Sequence, residues 1–169
     1  MSRIYLNDIW AFYYHDPYNP DWTYKSYIKL EDVSSVCDFW SVYNSITNNL
    51  SEHMFFVMRE HIFPCWDDEN NVNGGCFTIK IIKNKAVKFW EEITIKLLGE
   101  TLLKPAFTNL WESINGVSIS PKKSFCIVKI WMKNNDNKDP AIFDLPNNGY
   151  GEVLYKCNKE MIANDIKTT

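Results

Sequence analysis

The sequence predicts an α+β fold: a single curved, mostly antiparallel β-sheet with helices packed on its convex face and a ligand slot on the concave side. Three observations lead there. Strand-length apolar segments and helix-length periodic segments interleave irregularly, the pattern of an antiparallel sheet backed by helices. At 169 residues, 46% of them apolar, the chain suits one core and a single domain spanning residues 1–169. Seven tryptophans, nine tyrosines and ten phenylalanines exceed what a core of this size needs, so some of the rings call for a reason other than packing.

The first strand is read from residues 4–14, where Trp10, Phe12 and Tyr14 alternate with Ile9, Ala11 and Tyr13. His15 to Trp22 carries Asp16-Pro17 and Asn19-Pro20; fixed proline dihedrals and turn-forming side chains mark a loop, with Trp22 on or beside it. Tyr27 to Val33 reads as a strand. With Ser34 or Ser35 as N-cap, Val36, Phe39, Trp40, Tyr43 and Ile46 recur at helical spacing. Met54 to Met58 is a short strand, and the polar stretch from Glu60 to Gly75 is a long loop interrupted by Trp66, of the kind that commonly carries function.

Cys76 to Ile82 reads as a strand, followed by a helix with Val87, Trp90, Ile93 and Leu97 on one face and Gly99 as its stop. A second helical stretch covers Leu102 to Trp111, begun or bent at Pro105. Val117 to Ser120 and Phe125 to Met132 pair around the turn Pro121-Lys122-Lys123-Ser124, and Asn134 to Lys138 is a polar loop. Gly151 to Cys157 gives the last strand, and the tail from about residue 159 is expected to fray.

The formal charge of −3 argues against a protein that coats long stretches of phosphate backbone, though a confined nucleic-acid site stays open. No apolar run approaches the roughly 20 residues of a bilayer span and the N-terminus lacks a secretory pattern, so a cytoplasmic protein is expected. Cys37, Cys65, Cys76, Cys126 and Cys157 are odd in number and widely spaced, and they read as reduced core thiols. They offer no zinc site, and His15, His53 and His61 show no ligand spacing; no metal and no cofactor is expected. A monomer is the default.

The most informative segment is Trp66-Asp67-Asp68-Glu69-Asn70-Asn71-Val72-Asn73-Gly74-Gly75. A tryptophan beside a carboxylate on a loop offers a flat π-face and an acceptor pair to a planar base bearing N–H donors, an edge that guanine supplies. A cationic base between two indoles would gain cation–π attraction on top of stacking, and Trp22 on the other loop can supply the second ring. The competing reading makes Trp66 a core anchor and the three acids a solvated loop. A calcium loop lacks the required glycine and terminal glutamate spacing. Lys122 and Lys123 can hold phosphates that trail from such a base, or can simply be solvated.

Taken together, Phe39-Trp40, Pro64-x-Trp66-x-Asp68-x-x-Asn71-x-x-Gly74-Gly75, Phe89-Trp90 followed by Leu98-Gly99-Glu100, Asn115-Gly116-Val117 and Ile130-Trp131 resemble the cap-binding translation initiation factor 4E family. The resemblance runs from about Trp10 to Trp131. It implies a cupped antiparallel sheet backed by helices, and as ligand the 7-methylguanosine cap of mRNA. Trp66 matches the second stacking tryptophan and Trp131 the one that touches the N7-methyl group; Trp22 matches the first stacking ring across a loop differing by one residue, with Tyr24 as the alternative. Asp67 falls where the family carries a glutamate on the guanine edge. Lys122 falls where it carries a phosphate-binding arginine, and Ile127 where a second phosphate lysine is common; Lys123 compensates, and looser triphosphate recognition is expected.

The same resemblance implies a dorsal surface that receives a scaffold protein or binding protein as an amphipathic helix in a groove. Val36 and Trp40 match its centre, and Trp90 and Glu92 match as well, whereas Glu91 stands where a leucine is usual and the His-Pro pair before the first strand is missing. For Trp40 and Trp90 core packing competes with partner contact. Three readings follow: an initiation factor that recruits mRNA through a scaffold, a repressor or specialised paralogue that occupies caps without the usual scaffold, and an enzyme that hydrolyses the cap with Asp67, Asp68 and Glu69 around a metal. The third lacks a spaced carboxylate set, so no catalytic residues are expected.

Overall fold

The computed structural model describes residues 2–147 and 149–168. Seven strands form one sheet in the order β2-β1-β3-β5-β6-β4-β7, with every neighbouring pair antiparallel. They are β1 (Tyr5–His15), β2 (Tyr27–Ser35), β3 (Met54–Arg59), β4 (Gly75–Ile82), β5 (Ile114–Pro121), β6 (Phe125–Met132) and β7 (Val153–Cys157). Helices α1 (Val36–Ile46) and α2 (Lys83–Leu98) lie between strands in the chain, and α3 (Asn158–Thr168) follows the last one.

Side chains alternate across a strand, so each strand divides its residues between two faces. Trp10 and Phe12 of β1, Val57 of β3, Ile79 of β4, Val117 and Ile119 of β5, and Val128 and Ile130 of β6 join Phe39 and Val42 of α1 and Phe89, Trp90 and Ile93 of α2 in the main core. Ala11, Tyr13, Phe56, Met58, Cys76 and Trp131 lie on the opposite face in a second, smaller cluster. The helices thus cover one face and leave aromatic side chains on the other, as the sequence pattern implies.

Local chemistry sets the helix ends. Ser35 caps α1, its hydroxyl accepting from the Asp38 amide at 3.2 Å, and Asp38 accepts in turn from the Ser34 amide at 3.1 Å. Gly99 caps α2, its amide donating to Ile95 O, and Glu100 turns the chain away with a φ of 57°. The stretch after it is a 3-10 helix, Pro105–Ser113, started by its proline. Arg59 at the end of β3 is buried between the rings of Trp10 and Trp111, 4.9 and 5.2 Å from their centroids. It donates to Ile114 O at 2.7 Å and to Trp111 O at 3.0 Å and pairs with Asp8, tying the 3-10 segment to the sheet.

Three expectations are corrected. The tail from residue 159 is helical, because Asn158 anchors it: that residue is buried, donates through Nδ2 to Asn71 O at 2.8 Å and through its amide to Gly74 O at 2.9 Å. The five cysteines are not all core thiols. Cys76 and Cys126 are buried, Cys65 and Cys157 are half-buried, and Cys37 is exposed because it falls off the face that carries Phe39, Val42, Tyr43 and Ile46. Trp90 has no exposed surface at all, its ring packing edge-on to Phe12 at 6.5 Å, so it has none to offer a partner. Trp40 is 39% exposed, and Val36, Glu91 and Glu92 are half-buried.

No helix among the described residues is long and apolar enough to cross a membrane.

Candidate functional site

Two loops rise from the face opposite α1 and α2 and enclose a cavity of about 370 Å³. Trp22 comes from the β1–β2 loop, Trp66 and Asp67 from the β3–β4 loop, and Trp131 from β6; all four line the cavity. Its floor is the sheet: Phe56 of β3, Ser118 of β5 and Lys129 of β6 lie in register on adjacent strands, with Trp131 two residues further along β6. Trp131 is buried, and its indole Nε1 donates to Ser118 Oγ at 3.0 Å, which fixes the ring's position in the floor.

Trp22 is 49% exposed and its ring lies flat on that of His15, with centroids 4.0 Å apart and planes 2° apart. His15 is itself buried, and its Nε2 lies 2.8 Å from Asp21 O and 3.0 Å from Ser26 Oγ. Those two residues bracket Trp22, so the imidazole both ties the loop down and backs one indole face. Tyr24, the alternative ring, is 69% exposed and lines a shallow depression outside the cavity together with Trp22 and Asp68.

The Trp66 loop owes its shape to buried amides. Asn71 donates through Nδ2 to Phe63 O and Cys65 O, both at 2.8 Å, while its Oδ1 accepts from Asn115 Nδ2 at 2.8 Å. Asn115 also donates to Asn70 O, and the Asn71 carbonyl accepts from Asn158. Asp68 closes a turn by accepting from the Asn70 amide at 2.9 Å. Gly74 is required where the loop enters β4: a Cβ there would lie 1.8 Å from Met132 O. Asn71→Ala is expected to cost about 2 kcal/mol, because it removes three side-chain hydrogen bonds from a fully buried position and leaves one N–H of the Asn115 amide without its acceptor. Urea unfolding would measure this, and a loss below about 0.5 kcal/mol would show that the loop is held by other contacts.

Burial shapes the polar groups at the mouth. It pushes the Cys65 thiol up to about 11 and raises the Tyr27 hydroxyl, so both stay protonated at neutral pH. Among the described residues no three His, Cys, Asp or Glu side chains gather where they could hold a metal ion.

Of the residues singled out in the sequence, Trp22, Trp66, Asp67 and Trp131 meet in this one cavity. Lys122 and Lys123 do not line it; they are exposed at the tip of the β5–β6 hairpin. Three lining features escaped the sequence reading. Lys129 enters the cavity two residues before Trp131, and strand alternation alone puts both on one face. Tyr27 lines the mouth below Trp22, its ring 6.4 Å from the indole. Ile162, Asp165 and Ile166 of α3 form a further wall.

A half-open antiparallel sheet whose concave side holds indoles, with a carboxylate beside one of them, is a fold suited to gripping a flat ring that bears hydrogen-bond donors. The family model described as eukaryotic initiation factor 4E matches residues 5–161. The chain belongs to that family. It is similar to eukaryotic translation initiation factor 4E-1 of Hordeum vulgare subsp. vulgare, 29% identical over 149 residues that cover 84% of this chain and 66% of the relative. It is also similar to the 4E homolog of Acanthamoeba polyphaga mimivirus, 38% identical over 72 residues covering 43% and 26%. The chain thus spans no more than about two thirds of the length of these curated relatives. Ascaris suum eIF4E-3, solved in complex with an m7G cap, superposes with a TM-score of 0.70 at 25% identity, over 80% of this chain and 77% of that one. Caenorhabditis elegans eIF4E-3, solved with the 4E-binding protein Mextli and a cap analog, has the same fold at a TM-score of 0.78, 22% identity and 96% coverage of both chains.

Proposed function

We propose that this chain binds the 7-methylguanosine 5′ cap of mRNA and promotes translation initiation through a scaffold partner, in the cytoplasm and without catalysing a reaction. The observation that carries the reading is the convergence of Trp22, Trp66, Trp131 and Asp67 on one cavity. The methylated base, a cation, stacks between Trp22 and Trp66; its N7-methyl group meets Trp131, and its N1–H and N2–H groups donate to Asp67. The phosphates leave toward the β5–β6 hairpin and its Lys122 and Lys123. The cap complex of Ascaris suum eIF4E-3 supports the ligand; on the back of the sheet Val36, Trp40 and Glu92 remain accessible to a partner.

A second reading, a cap-binding repressor or specialised paralogue that does not recruit the usual scaffold, gains from one feature: Trp90 is buried, which leaves Trp40 as the one tryptophan among the predicted dorsal residues with exposed surface. Capture of capped and uncapped RNA of the same sequence tests the shared claim. Only the capped RNA should be retained and then released by a free cap dinucleotide; equal retention of both would sink it. Co-capture of a scaffold from the same cells separates the two readings.

A further inference from the structure

Lys129 differs from the ion-paired lysines of this chain in where its ammonium goes. Lys29, Lys83 and Lys96 pair with Asp32, Glu52 and Asp144 at or near the surface. Lys129 is half-buried on the cavity floor, opposite Ser118 on one side and Thr78 on the other, and its Nζ lies 5.3 Å from the centroid of Trp66. Lys156 and Lys122 are close enough for their charges to bear on it, while Asp67 and Asp165 line the same cavity. Burial chiefly, and those two lysines in addition, hold its pKa below the usual lysine range. A cation kept in so unfavourable a place makes sense where an anion arrives.

The ammonium and the Trp66 ring line the same cavity, so a methylated, cationic base stacked on that ring arrives beside the lysine. Two cations at one ring repel each other, and in water-poor surroundings the repulsion is costly. The base therefore enters only as Lys129 leaves, and a phosphate carried on the base's own ribose gives the lysine a stronger partner than the ring it gave up. Resting on the cap-binding reading above, we infer that Lys129 is the cation that holds the first phosphate next to the bound base, and that Trp66 is its parking place in the empty slot. Lys122 and Lys123, at the exposed hairpin tip, then serve only the later phosphates.

The test is a set of titrations with 7-methylguanosine, its 5′-monophosphate and its 5′-triphosphate, on the unaltered protein, on Lys129→Met, which keeps the apolar stem over Trp66, and on Lys129→Arg. In the unaltered protein the first phosphate should improve affinity about 10-fold or more, as a charge-assisted hydrogen bond does. Lys129→Met should lose that increment while binding the bare nucleoside at least as well, and Lys129→Arg should keep it. Lys122→Ala with Lys123→Ala should lose the gain from monophosphate to triphosphate instead. A first-phosphate gain that survives in Lys129→Met overturns the inference and leaves cap binding standing; failure of the unaltered protein to bind any of the three overturns both.

Discussion

Trp66→Ala is expected to lower the affinity for 7-methyl-GTP by about 100-fold, near the upper end of what one aromatic stack on a base contributes. The size follows from what the residue does in the slot. It supplies one of the two flat faces, and the face gains a cation–π term when the base is methylated, so the loss should be larger for 7-methyl-GTP than for GTP. Stability should fall only modestly, because the loop around Trp66 is held chiefly by Asn71, Asn115 and Asn158, with the half-buried indole packing against the smaller cluster. Isothermal titration of both nucleotides, beside a thermal melt, checks the two halves together. A variant that retains affinity within a factor of two removes Trp66 from the site.

Arg59→Ala should have the largest effect on the fold, about 3 kcal/mol in urea unfolding, from the packing lost between two indoles and the charged hydrogen bonds lost to the backbone. The guanidinium fills the space between Trp10 and Trp111, satisfies two buried carbonyls and partners Asp8. Removing it leaves a gap between the two rings and takes one donor from Ile114 O, from Trp111 O and from the half-exposed Asp8. Arg59→Lys should recover little, since a lysine lacks the fork that reaches Ile114 O and Trp111 O together. A cost below about 1 kcal/mol for the alanine variant would mean that the 3-10 segment is secured elsewhere.

The frame of the molecule was legible because periodicity reports burial. The alternation in β1, the helical spacing of Phe39, Tyr43 and Ile46, the cap at Ser35 and the turn between β5 and β6 each follow from local rules, and all appear where those rules put them. The Trp66 to Gly75 motif located the loop of the slot for a similar reason: its asparagines and glycines have tasks that other residues cannot perform. What escaped depends on contacts distant in sequence. Helix α3 has only a weak apolar face and is fixed by Asn158 reaching Asn71 and Gly74, a bond no local pattern announces. The stack of His15 on Trp22 is of the same kind. Lys129 was within reach of the rule that put Trp131 on the concave side, since residues two apart share a face, but attention went to Lys122 and Lys123 at the hairpin tip.

The dorsal surface shows the limit of residue matching. Trp40 and Trp90 are alike in sequence context, each following a phenylalanine within a helix, yet helical phase turns one to solvent and the other into the core. Of the two, only Trp40 has surface to offer a partner.

The central claim is that a methylated guanine is held between Trp22 and Trp66, and quenching of tryptophan fluorescence by 7-methyl-GTP, run beside unmethylated GTP, tests it most directly. The expected result is strong quenching by 7-methyl-GTP, far weaker quenching by GTP, and loss of the difference in both Trp22→Ala and Trp66→Ala but not in Tyr24→Ala. Equal response to the two nucleotides, or a methyl-dependent response that survives either tryptophan substitution, would contradict it.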